Sequence, residues 1–170
     1  MTQLYLKNIG RFIFLIFFQV LILNHIYLGG FINPYFYVYF ILLLPFVTPK
    51  WLLLVSAFLI GISIDFFSNT MGINAAASVM MAFARPFVIS AISTGTEYEV
   101  GERPSIRNQD MKWFVYYCVI LILIHHFVLF YLEIFRFREF FTTFIRVVLS
   151  SAFTFLLVML SEYLFYRRQK

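Results

Sequence analysis

The sequence predicts an all-α integral membrane protein, a single bundle of six transmembrane helices with both termini on the cytoplasmic side. Three observations lead there: a composition too apolar for water, long runs without charge, and a lopsided distribution of Lys and Arg. Of the 170 residues, 62% are hydrophobic and 12% are charged, against about 45–50% and roughly 25% in soluble domains. That is too little polar material to cover a water-facing surface, and 24 Phe and 11 Tyr add to the excess. An ordinary soluble enzyme, a nucleic-acid-binding domain and a disordered chain are all excluded on these grounds.

The elements follow from the charge-free runs. Between Arg11 and Lys50, 38 residues pass without a formal charge. A membrane helix takes about 20 apolar residues, so this run holds two spans and a turn. The turn is expected at Gly29-Gly30-Phe31-Ile32-Asn33-Pro34, because paired Gly and Asn-Pro break helices. The remaining runs give helices near Trp51–Phe67, Gly72–Ile92, Trp113–Leu132 and Phe140–Phe165, after Phe12–Leu28 and a short Tyr35–Val47 that holds Pro45. The runs are apolar on every face, whereas membrane strands alternate. The first run lacks a small-residue cleavage site, so a retained helix is expected in place of a signal peptide. One membrane domain covers residues 1–170, and its one substantial extramembrane segment is the charged Ser93–Lys112 loop. Cys118 stands alone within the fifth span and implies neither a disulfide nor a metal site.

Orientation comes from sorting the basic residues. With the N-terminus inside, Lys7, Arg11, Lys50, Arg103, Arg107, Lys112, Arg167, Arg168 and Lys170 are cytoplasmic, while Arg136 and Arg138 lie outside. Nine against two is a positive-inside bias, and six spans return the C-terminus to the same side. The net charge of +5 then reads as insertion and attraction to anionic headgroups.

A few polar residues within the spans are the site candidates. Ala57, Gly61 and Asp65 are spaced by four and form one stripe, which delivers a carboxylate to a close-packed helix interface. Asp65 suits a cap before Ser68-Asn69-Thr70, and a ligand, proton or partner role is the alternative. Arg85 continues a small-residue face made by Ala75, Ser78 and Ala82. It precedes Pro86, which frees a backbone carbonyl one turn earlier. The guanidinium either satisfies carbonyls, meets an anion or partner, or snorkels to headgroups. His125 and His126 point about 100° apart and do not jointly bind one metal. They and His25 read as packed, hydrogen-bonded residues. Glu133, Arg136, Arg138 and Glu139 form a charged outer turn. Arg146 has Asp65 or Glu133 within reach, and Glu162 has headgroups or Arg167. The aromatic residues are expected mostly at lipid-facing or interfacial positions. No GxSxG, HExxH, CxxC, Walker or GxGxxG pattern is present, and no span carries an acidic pair. No enzyme, cofactor or metal is expected.

The stretch from Leu59 to Ala75 resembles the signature of the rod shape-determining MreD family. There a helix ends in glycine, three apolar residues and aspartate, a short Ser/Gly turn follows, and a glycine opens the next small-residue helix. Gly61, Asp65, Ser68, Gly72 and Ala75 fill those positions, and Asn69 stands where the family often has glycine. Chain length, six spans, an inner N-terminus and a basic C-terminus are similar too. The resemblance implies a non-enzymatic inner-membrane subunit of the bacterial cell-elongation machinery. It would bind MreC, a single-span protein, and connect MreB filaments to a SEDS glycosyltransferase and a class B penicillin-binding protein. It also implies a fold like the membrane-embedded substrate-binding subunit of energy-coupling-factor transporters, although fold does not carry function. On this reading Gly61, Asp65, Ser68, Gly72, Arg85 and Pro86 set hairpin and partner geometry. The small-residue stripes would accept a partner's span, and the Ser93–Lys112 and Glu133–Glu139 segments would offer surfaces on either side. The alternative is a small-solute or lipid-binding transport subunit with Arg85 near the ligand. A third class, an intramembrane enzyme, needs Asp65 and His125 within hydrogen-bond reach.

Overall fold

The computed structural model describes residues 2–26, 32–93, 98–99, 101–134 and 140–168, and every regular element among them is helical. The chain runs α1 (Thr2–Leu21), a 3-10 turn (Leu23–His25), a second 3-10 turn (Phe36–Val38) continuous with α2 (Tyr39–Leu42), α3 (Lys50–Ser68), α4 (Ile73–Ile92), α5 (Met111–Ile134) and α6 (Phe140–Arg168). Five helices are long and apolar enough to cross a membrane, the mark of a multi-pass membrane protein. The expected Gly29–Phe31 turn, the outer-turn residues Arg136, Arg138 and Glu139, and Glu97 lie outside the described residues. So do the side chains of Arg167, Arg168 and Lys170.

α1 starts well before the expected Phe12, so Lys7 and Arg11 are helical residues. Apolarity marks the stretch that suits lipid. The helix itself continues into its polar flank, where Arg11 donates to Asn8 Oδ1 one turn earlier at 3.3 Å. At the other breaker in a span, α4 continues through Pro86. Neighbouring groups at membrane depth can satisfy the carbonyl a proline frees.

The second expected helix, Tyr35–Val47, is corrected by the structure. Only Phe36–Leu42 is helical, first as a 3-10 turn and then as four α residues. Seven residues rise only about 10–14 Å, less than half of a hydrocarbon core of about 30 Å. Yet every residue from Phe36 to Leu44 is buried, with Tyr37, Val38, Ile41 and Leu42 fully so. The segment is an apolar plug in the centre of the bundle.

Its direction follows from the helix ends. Asn24 Nδ2 donates to Ser68 Oγ at 3.0 Å, which places the end of α1 beside the end of α3. The two helices pack on one another and run the same way. The chain between them must therefore return through the bundle, and it does so alongside α6. Asn33 N–H reaches Ser150 Oγ at 3.1 Å, Tyr35 N–H reaches Thr154 Oγ1 at 3.1 Å, and Tyr39 Oη reaches Glu162 Oε1 at 2.5 Å. Beyond the plug, Phe46 N–H donates to the Glu102 carbonyl at 2.8 Å, and the Phe46 ring stacks on Tyr98 at 3.8 Å. The described part of the Ser93–Lys112 loop is thus folded onto one end of the bundle. α3 packs on α4, α4 on α5 and α5 on α6. The aromatic residues divide between the two environments. Phe36, Tyr37, Tyr39, Phe40, Phe114, Tyr117 and Phe130 are buried, while Phe66, Phe87 and Phe141 are exposed.

Candidate functional site: a braced hairpin and a braced plug

The α3–α4 hairpin is built around two glycines and one carboxylate. Gly61 is buried on α3, and a Cβ there would lie 2.5 Å from Ala75 Cα and 2.7 Å from the Asn74 carbonyl oxygen. Those atoms are backbone, so only glycine allows this approach. One turn later Asp65, 2% exposed, uses that proximity. Its Oδ1 accepts from Asn74 N–H at 3.1 Å and Asn74 Nδ2 at 3.0 Å, and its Oδ2 accepts from Ala75 N–H at 2.8 Å. The Thr70 hydroxyl also donates to Oδ1.

Asn74 and Ala75 are the second and third residues of α4, where backbone N–H groups have no partner within the helix. Asp65 therefore caps α4 from the preceding helix and places a negative charge at the positive end of its dipole. The turn between them needs two left-handed residues. Asn69 has φ 53° and Gly72 has φ 80°. Asn is among the few non-glycine residues that tolerate this region, which accounts for a residue other than glycine at position 69. Ser68 accepts from Asn24 and ties the hairpin to the end of α1.

Arg85 braces the plug. It is 2% exposed and donates through Nε to Tyr117 Oη at 2.7 Å and through Nη2 to the Leu44 carbonyl. The Tyr117 hydroxyl in turn donates to the Leu42 carbonyl at 2.9 Å. These are carbonyls at the end of a truncated helix, which lack intrahelical partners. At the other end of the plug, Gln19 Nε2 donates to the Pro34 carbonyl at 2.9 Å, and Gln19 Oε1 accepts from Tyr37 N–H at 3.3 Å. Irregular backbone at membrane depth survives only where protein groups satisfy it. Gln19, Arg85, Tyr117, Ser150 and Thr154 do so here. The carbonyl that Arg85 meets belongs to the plug; its own helix does not supply it. Pro86 lies half-buried beside it, and both line a cavity of about 290 Å3 with Lys50, Ser90 and Ser93.

A polar chain joins the two braces. Tyr37 Oη lies 3.1 Å from Asn74 Oδ1 and 2.8 Å from His125 Nε2. With the hydroxyl donating to Asn74, His125 is the neutral Nε2–H tautomer, and its buried Nδ1 is an acceptor without a partner. An unmade lone pair there costs less than an unmade donor would. His126 lies 2.9 Å from the Ile122 carbonyl through Nδ1 and 3.1 Å from Thr154 Oγ1 through Nε2, which suits Nδ1–H donating and Nε2 accepting. Asp65 and His125 are joined only through Asn74 and Tyr37, so the direct contact an Asp65–His125 enzyme requires is absent among the described residues. No His, Cys, Asp and Glu cluster able to hold a metal occurs among them either.

His25, expected to be packed, is exposed at the end of α1. Arg146 pairs with Glu133 at 3.2 Å and sits 4.4 Å over the Phe130 ring. Glu162, expected to meet headgroups or Arg167, accepts the Tyr39 hydroxyl.

The small-residue stripes are used within the chain. Ala57, Gly61 and Asp65 on α3 and Ala75, Ser78, Ala82 and Arg85 on α4 are all buried. Their faces meet neighbouring helices and are not open to a partner's span. Residues that sequence reasoning missed include Gln19, Tyr37, Asn74, Tyr117, Ser150 and Thr154. One legible signal existed. Thr143, Val147, Ser150, Thr154, Val158 and Glu162 recur at three- or four-residue steps, and all are buried, so they trace the inner face of α6.

No protein-family model, curated protein or solved structure matches the chain. The family reading rests on the hairpin residues themselves.

Proposed function

We propose that this chain is a non-enzymatic, MreD-like subunit of the bacterial cell-elongation machinery. It resides in the inner membrane, crosses it six times counting the plug, and keeps both termini in the cytoplasm. In this role it binds an MreC-like single-span protein and links MreB filaments to a SEDS glycosyltransferase and a class B penicillin-binding protein. The observation that supports the reading is the Gly61–Asp65–Gly72–Ala75 hairpin. Its motif residues form one geometric unit: a close approach, a carboxylate cap and a left-handed turn. These residues hold shape and carry out no chemistry. With the stripes consumed internally, a partner's span must meet an outward face of the bundle.

Affinity purification in a mild detergent tests the proposal. Recovery of a coiled-coil single-span protein is expected, together with loss of rod shape when the gene is depleted. A chain recovered without such a protein, from cells whose shape is indifferent to depletion, would overturn it. If a small solute came with it, that would favour the transport-subunit alternative with Arg85 at the ligand. Against that alternative stands the commitment of Arg85 Nε and Nη2 to Tyr117 and Leu44.

A further inference from the structure

A second, larger cavity, of about 720 Å3, opens at the end of the bundle where α1 begins and α6 finishes. Its walls come from α1, the plug, α6 and the Arg103–Asn108 stretch of the loop. The inner wall is apolar, made by Phe14, Leu15 and Phe18 of α1 with Phe36 and Leu43 of the plug. The mouth is basic, because Arg11, Arg103 and Arg107 all line it. Among the described lining residues one carboxylate faces them, Glu162, and one of its oxygens is taken by the Tyr39 hydroxyl. Among the same residues, the Arg11 and Arg103 guanidinium groups against one carboxylate leave a formal excess of one positive charge around a space with apolar walls, with Arg107, which has an interaction of its own, left out of the sum.

α1 packs on α3 and on the plug, and α6 packs on α5 and on the plug, but α1 and α6 do not form a packed helix pair. The cleft therefore lies between two helices long and apolar enough to cross a membrane that do not close on one another. Convergent arginines in a low-dielectric setting repel one another. An anion among them relieves that repulsion through charge-assisted hydrogen bonds to the guanidinium planes. The volume falls in the range of about 300–1,000 Å3 typical of ligand sites. Basic pockets between transmembrane helices are suited to acidic lipid headgroups.

We infer that this cleft binds the phosphodiester headgroup of an anionic phospholipid between Arg11 and Arg103, with an acyl chain along Phe14, Phe18 and Phe36. The occupant is an amphiphile, because the basic mouth and the apolar wall belong to one continuous cavity. The inference stands apart from the proposed partner role and needs only the membrane location.

Native mass spectrometry of the purified chain with dioleoyl phosphatidylglycerol and dioleoyl phosphatidylcholine at equal concentration reads the preference directly. About fivefold more phosphatidylglycerol adduct is expected, consistent with the attraction of one excess charge. Phosphatidylglycerol should also raise the thermal midpoint in detergent more than phosphatidylcholine does, and inorganic phosphate should leave it unchanged. Both preferences should vanish in an Arg11→Gln/Arg103→Gln double variant and persist in Lys112→Ala, which removes an exposed charge elsewhere on the same segment. Equal adducts of the two lipids in the unmodified chain would overturn the inference, whether or not the double variant folds. So would a preference that survives in the double variant, or a midpoint rise reproduced by inorganic phosphate alone.

Discussion

At the scale of single residues, the two glycines of the hairpin fail for different reasons, and their variants should separate. A methyl group at Gly61 meets the α4 backbone at 2.5–2.8 Å, so α3 and α4 must part and Asp65 loses its reach. Gly72 has open space around it and φ 80°, so Gly72→Ala costs only left-handed strain, about 1–2 kcal/mol. Thermal unfolding in detergent should therefore rank Gly61→Val as far more damaging than Gly72→Ala. Equal midpoints would deny the close approach. For Asp65, replacement by Ala strands two backbone N–H groups at about 1–3 kcal/mol each. Asp65→Asn retains one acceptor and should fall between that variant and the unmodified chain in the same measurement.

Asp65, Arg85, Gly61 and Gly72 were legible in the sequence because a charge or a glycine stands out in an apolar run. Their partners were not. The Leu44 carbonyl, Tyr117 and Tyr37 come from distant parts of the chain, and only tertiary packing brings them together.

At the scale of elements, α3 to α6 were legible because each apolar run is long and bounded by charge or by breakers. The plug was not legible as a plug. Apolarity reports burial from water, and a nine-residue stretch buried in protein from Phe36 to Leu44 reads like one buried in lipid. What distinguishes it is the supply of side-chain partners for its backbone, which sits on other elements. Those partners make the brace testable. Gln19→Leu removes the acceptor of Tyr37 N–H and the donor to Pro34, and Tyr117→Phe strands the Leu42 carbonyl and one Arg85 donor. In each, hydrogen exchange across residues 34–44 should speed up, while amides in the middle of α5 stay protected. Uniform acceleration across the protein would mean global destabilisation and deny a local brace. Unchanged exchange in the plug would deny the hydrogen bonds.

At the scale of the whole molecule, the braces share one purpose. They hold a short buried return segment among the five long helices of the described residues, so that α1 and α3 run parallel. The stripes that close the bundle are spent inside it, which leaves larger apolar side chains such as Phe66, Phe87 and Phe141 on its outward faces. Cys118, fully buried in α5, should resist maleimide until the protein is unfolded. That permits labelling at introduced cysteines after Cys118→Ala. The central claim is that the chain returns through the bundle between α1 and α3. Its most direct test is membrane-impermeant maleimide labelling, in intact and opened cells, of single cysteines at Lys7, Lys50 and Met71. Met71 is almost wholly exposed at the tip of the α3–α4 hairpin and should label from outside. Lys7→Cys and Lys50→Cys should both label only once the cells are opened. Labelling of Lys7→Cys and Lys50→Cys from opposite sides of the membrane would contradict the return passage and the fold built on it.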